Sequence, residues 1–241
     1  MRANDTGLSA HFMGLGVAAW AMVCLSACLP AEALSSQVVD SASLRVELLN
    51  MLARDQRARN PDSLLRMSDS DRERAVSEAM ALAAVHGERL KSIVAAVGWP
   101  TPALVGEDGV RAAFTLLQHA DHDPEFQERM LPLLQDAAYR GETPRRDVAY
   151  LTDRIRRWRG RPQVYGTQYD IARDRAGREI RDANGRPTYL APLVEDLADL
   201  DARRATMDLG PWIEYEYRMA RLQNRAPFER ARTPQDSSDT R

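Results

Sequence analysis

The sequence contains little cysteine and almost no lysine. Cys24 and Cys28 are its only cysteines, so the body of the chain can form no disulfide framework. Lys91 is the only lysine, and arginine supplies nearly all of the positive charge. The 33 basic residues almost balance the 35 acidic ones, which leaves a net charge of −2. This balance argues against a nucleic-acid-binding protein, because such proteins usually carry a basic excess.

The sequence motifs of several well-known chemistries are also absent. The chain has no G-x-S-x-G, no P-loop, no glycine-rich dinucleotide-binding turn, no H-E-x-x-H and no C-x-x-C. Serine, cysteine and P-loop chemistries therefore have no support from a motif, and we expect no cofactor. Hydrophobic residues make up 44% of the chain and charged residues 28%. This composition is typical of a folded domain and not of a disordered chain.

A segment without charge lies near the N-terminus. The stretch from Thr6 to Ala31 contains no Asp, Glu, Lys or Arg. Its apolar centre has the length of a signal peptide and is too short for a transmembrane helix. It ends in Leu25-Ser26-Ala27-Cys28, which resembles the bacterial lipobox, in which the cysteine is acylated and becomes the mature N-terminus. Ordinary signal-peptidase cleavage before Leu34, an uncleaved anchor and a buried helix are the alternatives.

The lipobox predicts lipid anchoring through Cys28. Leu29 and not Asp follows the cysteine, which in the resembled lipoproteins indicates the periplasmic face of the outer membrane. Cleavage before Leu34 would instead give a soluble periplasmic or secreted protein. The expected partners are the membrane, through the lipid, and a small polar ligand or envelope component, but not nucleic acid. The predicted organisation is a signal peptide at 1–27, a tether at 28–40, a mostly helical domain at 41–225 and a disordered tail at 226–241.

Apolar residues at helical spacing predict a mainly α-helical single domain. The first stripe is Leu44, Leu48, Met51 and Leu52; the second is Val76, Met80, Ala83, Leu90, Val94 and Val97; the third is Val110, Phe114 and Leu117; a later one is Val148, Leu151 and Ile155. Gly98 suits the left-handed residue that ends a helix. Asp123-Pro124 predicts the start of another helix, which runs to about Arg140.

The character of the sequence changes after residue 160. Strand-forming residues and two turn signals, at Gly177 and at Asn184-Gly185, predict a small antiparallel β-hairpin or meander near residues 163–190. Two helices, at about 192–208 and 211–224, complete the predicted domain.

Polar residues continue the apolar face of the first helix. At 100° per residue, Asp55 lies about 20° and Arg59 about 60° from Leu44. The two residues therefore extend the apolar stripe as an i,i+4 pair, with Gln56 on its flank. Such a pair either closes the end of a helix bundle as a structural ion pair or lines a pocket.

Acid–base residue types are densest from Gln118 to Asp123. Helical phase from the third stripe places Gln118 inward and turns His119 away. Asp121 faces inward if the helix continues that far, and otherwise it lies in the loop that enters the next helix. A His–Asp pair for hydrolysis and a solvated helix end are both compatible with the segment. A zinc site has weak support, because His119 and His122 are spaced i,i+3 and not i,i+4.

Neutral hydrogen-bonding residues occupy the predicted start of the sheet, at Tyr165-Gly166-Thr167-Gln168. They suit a polar ligand such as a sugar or a peptide, or else the packed edge of a hairpin. A glycine in a strand often marks a bulge or a close backbone approach. Arginines between Arg154 and Arg161 form a basic patch, which either meets phosphates or is a solvated face.

The order of six short motifs resembles a widespread bacterial family catalogued only as a domain of unknown function. The motifs are Asp55-Gln56-x-x-Arg59, Gly98-Trp99-Pro100, Val105-Gly106, Gln118-His119-Ala120-Asp121, Ala149-Tyr150-Leu151-x-Asp153-Arg154 and Tyr165-Gly166-Thr167-Gln168. The resemblance covers about residues 45–220 and implies one mostly helical domain, with no reaction assigned. It marks as a shared site Asp55, Gln56, Arg59, Gln118, His119, Asp121, Asp153, Arg154, Tyr165 and Gln168.

Two functions remain open at this point. The first is a ligand-binding or interaction module, which we favour because neither a nucleophile nor a set of metal ligands is recognisable. The second is an envelope hydrolase in which His119 is the general acid or base, with Asp121 or Asp55 as its carboxylate partner. The hydrolase predicts that His119, Asp55, Arg59 and Gln168 converge in one concave pocket.

Overall fold

The computed structural model describes residues 40–183 and 185–223, and within them the chain is mainly helical. Helix α1 spans Ser41–Ala58, α2 Pro61–Leu65, α3 Asp69–Val97, α4 Pro102–Gln118, α5 Pro124–Tyr139, α6 Arg145–Trp158, α7 Leu200–Thr206 and α8 Trp212–Gln223; strand β1 spans Asp170–Ile171 and β2 Tyr189–Leu190. The two strands pair antiparallel, which confirms the predicted fold class. The predicted signal peptide and the predicted disordered tail lie outside the described residues.

Helices α1, α3 and α4 form the first packing group. Helix α4 packs along α1, and α3 contacts both of them. Leu48 of α1, Leu90 of α3 and Leu117 of α4 are completely shielded from solvent. Burial of a leucine side chain stabilises the fold by about 1.5–3 kcal/mol, so the stripes predicted from the sequence supply much of this core. None of the helices in the described ranges combines the length and apolar character needed to cross a bilayer.

The buried face of α3 differs from the prediction in its first half. Val76 and Met80 are 43% and 57% exposed, and Ala79 and His86 are buried instead, whereas Ala83 is buried as predicted. Helix α3 has 29 residues and α1 has 18, so α1 is too short to cover α3 along its whole length. Apolar side chains in the uncovered part of α3 therefore remain exposed.

The predicted helix ends after α3 and before α5 are confirmed. Gly98 ends α3 with a positive φ of 73°, a backbone conformation that is unfavourable for residues with a side chain. The Asp123 carboxylate caps α5 and accepts a hydrogen bond from the Phe126 backbone N–H at 2.9 Å. Helix α5 then packs against α6, which also contacts α4.

The small sheet starts later than the sequence predicts. Residues 163–168 form a loop and not a strand, and the strand pairing begins at Asp170, which faces Leu190. Apart from one bridge at Gln163, the loop joins no ladder, because the side chains of Asp153 and Gln163 accept the hydrogen bonds of four of its other backbone N–H groups. The helix predicted from about residue 192 begins only at Leu200, since the backbone of residues 193–195 pairs with Gln163 instead.

Candidate functional site

A buried carboxylate lies in the last turn of α1. Asp55 is 1% exposed, and three side chains donate hydrogen bonds to it. His119 Nδ1 lies 2.7 Å from Oδ2, Arg59 Nε lies 3.0 Å from Oδ1, and Gln56 Nε2 lies 3.2 Å from Oδ2. The inward position of Asp55 and its i,i+4 pairing with Arg59 are thus confirmed, and Gln56 is an exposed member of the same cluster.

The partners of Asp55 decide its charge. Burial by itself raises the pKa of Asp55, but the hydrogen bonds and positive charges of His119 and Arg59 outweigh burial and hold the pKa below its ordinary value of 3.8. Asp55 is therefore ionised at neutral pH and can only accept hydrogen bonds. When the His119 ring is neutral, its proton must then lie on Nδ1, which leaves Nε2 as an acceptor.

The structure corrects the predicted orientations of His119 and Asp121. Helix α4 ends at Gln118, and His119 is its C-cap, with φ −86° and ψ 0°. Beyond a helix end the 100° phase no longer applies, and the turn directs the imidazole onto the end of α1. The His119 side chain is only 22% exposed, whereas that of Asp121 is 58% exposed. The outward orientation predicted for His119 is therefore wrong, and Asp121 takes the alternative position in the loop that leads to α5.

Asp121 belongs to a second cluster, with Arg154 of α6. Arg154 Nη1 donates to Asp121 Oδ1 at 2.5 Å. Both residues line a cavity of about 380 Å³, together with Gln127 of α5 and residues from the end of α6. Among the described residues, His119 contacts Asp55 and not Asp121, so Asp55 is the carboxylate partner that the geometry favours.

Gln127 is a site residue that the sequence analysis missed. It is 1% exposed, and its amide donates to the backbone carbonyls of Leu117 and Gln118 at 3.1 and 3.2 Å. Gln118 thus contributes its carbonyl to this contact, while its side chain is half-buried. A signal was present in the sequence, since Gln127 shares the helical spacing of the buried residues Met130 and Leu134.

Asp153 and the loop at 163–168 form a third cluster. The Asp153 carboxylate is fully buried and accepts hydrogen bonds at 2.8–3.1 Å from the N–H groups of Val164, Tyr165 and Thr167 and from the Thr167 hydroxyl. The Gln168 amide donates to Thr167 Oγ1 and to the Tyr150 carbonyl. These polar groups hold the loop in place, so Gln168 does not join His119, Asp55 and Arg59, which do converge.

The C-terminal helices fasten the same loop. Arg204 of α7 is 2% exposed and donates to the carbonyls of Tyr165 and Gly210 at 2.7 and 2.8 Å. Its guanidinium lies over the Tyr215 ring, 5.0 Å from the ring centre. Gly166 has a φ of 67°, and a Cβ there would lie 3.1 Å from the Trp212 ring. The close backbone approach predicted for Gly166 is confirmed, although it occurs in a loop.

One buried histidine has no hydrogen-bond partner within the part of the chain that the structure describes. His86 of α3 is 3% exposed, and among the described residues neither ring nitrogen makes a hydrogen bond. Burial and then the positive charge of Arg54 lower the pKa of His86, and the charge of Asp55 acts in the opposite direction. In the described ranges, no group of three or more His, Cys, Asp or Glu side chains is arranged to hold a metal ion.

Residues 42–224 match the family model described as "Family of unknown function (DUF6624)". The chain belongs to this family. The match contains all three clusters, from Asp55 in α1 to the helices that hold the loop at 163–168. No curated protein and no solved structure matches the chain. The family supplies no reaction, and the geometry of the clusters therefore carries any functional argument.

Proposed function

We propose that this protein is a hydrolase in which His119 is the general base and acid and Asp55 orients it. One observation carries the proposal: a carboxylate that is 1% exposed lies 2.7 Å from Nδ1 of an imidazole that is itself 22% exposed. In hydrolytic sites, an acid–base histidine typically has one ring nitrogen hydrogen-bonded to a buried carboxylate while its ring remains partly accessible to solvent.

His119 can both take up and return the one proton that such a hydrolysis transfers. Nε2 of neutral His119 takes a proton from water while the water oxygen bonds to the carbonyl carbon of an ester or amide, and the carbonyl electron pair moves onto its oxygen. When the resulting tetrahedral oxyanion collapses, the bond to the leaving group breaks and Nε2 returns the proton to that group. Asp55 keeps the proton on Nδ1 throughout and stabilises the transient imidazolium.

Arg59 is placed to act on the developing negative charge. Its Nε is occupied by Asp55, and its side chain is 31% exposed. Within the described residues the two Nη groups make no hydrogen bond and can contact a substrate oxygen, and a guanidinium beside an oxyanion stabilises the transition state. Arg59 and His119 contact the two different oxygens of one carboxylate, so the base and the cation are held on the same scaffold.

The hydrolysis of p-nitrophenyl acetate tests the proposal. We expect His119→Ala and Asp55→Asn to lose about 100-fold or more of the enzymatic rate, the usual contribution of a positioned acid–base group. His122→Ala is the matched control, because it removes an exposed histidine only three residues away. Equal rates for wild type, His119→Ala and His122→Ala, measured as nitrophenolate release, would overturn the acid–base role.

A second candidate is a ligand-binding or interaction module without catalysis. The cavity beside Asp121 and Arg154 favours it, because a cavity can bind a ligand whether or not His119 turns it over. Binding without any turnover that depends on His119 would support this second function.

We also propose that the protein is exported and anchored by a lipid on Cys28. The support is the lipobox-like sequence after an uncharged segment, and these residues lie outside the described ranges. Mass spectrometry of the mature N-terminus tests the proposal. A diacylated or triacylated Cys28 is expected, whereas an unmodified chain that begins at Leu34 would show cleavage by an ordinary signal peptidase.

A further inference from the structure

A cavity lies between the start of α5, the end of α6 and strand β1, and we name it the α5–α6 cavity. Its volume is about 380 Å³, which falls within the roughly 300–1,000 Å³ of small-molecule sites. Its lining consists mainly of polar and aromatic side chains: Asp121, Pro124, Gln127, Arg154, Arg157, Trp158 and Asp170.

The charges of the cavity wall are balanced. Arg154 pairs with Asp121 and Arg157 pairs with Asp170, each at 2.5 Å. Two more arginines of the basic patch are paired as well: Arg156 with Glu195 at 2.6 Å and Arg159 with Glu128 at 2.5 Å. A phosphate would have to compete with these carboxylates, so the pairing gives the predicted phosphate patch no support. The wall offers donors and acceptors side by side, which suits an uncharged polar ligand.

Two further residues narrow the ligand class. Trp158 lines the cavity and is 44% exposed, and the Arg159 guanidinium covers one face of its ring at 4.5 Å from the ring centre. An aromatic side chain with this exposure in a cavity wall offers an apolar surface to a ligand. Gln127 uses its Nε2 group on two backbone carbonyls, which leaves Oε1 as its acceptor for a ligand. A sugar ring matches this set, because its C–H face packs on an aromatic ring while its hydroxyls both donate and accept hydrogen bonds.

We propose that the α5–α6 cavity binds a neutral saccharide, and that this saccharide carries the ester or amide bond that water hydrolyses with His119 as the general base. The second clause rests on the hydrolase proposed above. Asp121 follows His119 by two residues, a chain span of at most about 7 Å. Gln127 also binds the carbonyl of Gln118, the residue before His119. The cavity wall and the acid–base residue are thus held to the same end of α4.

Titration of the full-length protein with neutral disaccharides tests the binding. The probes are cellobiose, maltose and chitobiose, compared with glucuronate, glucose 6-phosphate and inorganic phosphate, and the signal is the NMR shift of the Trp158 indole N–H. We expect a saturable shift with at least one neutral disaccharide at millimolar concentration and none with phosphate. Saturation by the anions alone, or by none of the probes, would overturn the proposal.

Variants then locate the site. Trp158→Ala should weaken disaccharide binding at least tenfold, whereas Trp158→Phe keeps an aromatic face and should retain most of it. Tyr139→Ala is the matched control. Tyr139 is an aromatic residue at the end of the neighbouring helix α5, but it is 92% exposed and does not line the cavity. Equal weakening by Tyr139→Ala and Trp158→Ala would place the site elsewhere.

The His119→Ala variant separates the two proposals. It should bind the disaccharide with wild-type affinity and lose ester hydrolysis. Saccharide binding without hydrolysis that depends on His119 would refute the hydrolase and leave the saccharide site intact. Hydrolysis that depends on His119 in a protein that binds no neutral disaccharide would refute the saccharide site alone.

Discussion

Asp147 is a buried carboxyl group that receives no hydrogen bond from any residue that the structure describes, and replacing it by asparagine should stabilise the protein. It lies in the first turn of α6 and is 8% exposed. Among the described residues its nearest cation is Arg146, with Nε 4.0 Å from Oδ1. Burial raises the pKa of Asp147 from 3.8 to about 6, against the opposing charges of Arg146 and Arg111. The pKa of Asp55, which is also buried, shifts the other way because the hydrogen bonds and charges of His119 and Arg59 outweigh burial.

The magnitude follows from proton linkage. The folded state holds the Asp147 proton more tightly than the unfolded state, so this residue lowers stability as the pH rises from about 4 to about 6. At about 1.4 kcal/mol per pKa unit, the full loss amounts to roughly 3 kcal/mol. Asp147→Asn removes the ionisation. It should therefore leave stability unchanged below pH 4 and raise the free energy of unfolding by up to about 3 kcal/mol at pH 7.

Urea denaturation followed by circular dichroism measures this gain in the free energy of unfolding. The pH range of about 3.5 to about 7.5 includes both the unfolded pKa of Asp147, 3.8, and its folded pKa of about 6. Asp62→Asn makes the same change at an exposed position and serves as the control. The reasoning is refuted if Asp147→Asn shows a gain that does not depend on pH, or if it destabilises the protein at pH 7.

Three further outcomes are expected. Asp55→Asn should move the proton of neutral His119 from Nδ1 to Nε2, because the new amide donates to Nδ1; side-chain ¹⁵N shifts report this, and an unchanged tautomer would show that Asp55 does not orient the ring. His86→Leu should stabilise the fold by about 1–3 kcal/mol, since it removes buried nitrogens that have no partner among residues 40–183 and 185–223; a lower melting temperature would contradict this. Gly166→Ala should cost at least about 1 kcal/mol through its positive φ and the Trp212 contact, and unaltered urea midpoints would contradict this.

Local spacing predicted most of the helices and one half of the candidate site. The stripe of α1 carries its phase through to Asp55 and Arg59, because all of these residues lie within one continuous helix. Capping residues such as Asp123 act on their own neighbours and are therefore readable from a single segment. Predictions of this kind depend only on contacts between residues a few positions apart.

The failures begin where contacts join distant segments. The orientation of His119 depends on where α4 stops and on the α1 carboxylate, 64 positions earlier in the chain. The loop at 163–168 has strand-forming residues, yet Asp153 takes its backbone donors and prevents a ladder. Arg204 becomes buried only because carbonyls and aromatic rings from two other segments surround it. No periodicity within one helix reports such partners.

The cluster of Asp153 and the loop at 163–168 determines how the C-terminal part of the chain unfolds. Asp153 is its central residue. Its carboxylate, the Arg204 guanidinium and the Tyr215 hydroxyl bind backbone groups of one six-residue loop, and each would be costly to leave buried without a partner. If the α7–α8 segment were only partly docked, several of these groups would lose their hydrogen-bond partners at once. Few intermediate arrangements are therefore stable. The C-terminal helices and the loop should therefore open and close as one cooperative unit, with a shared protection in hydrogen exchange. The polar residues of the loop at 163–168, which the sequence suggested as a ligand-binding surface, thus hold the C-terminal helices in place in an all-or-none manner.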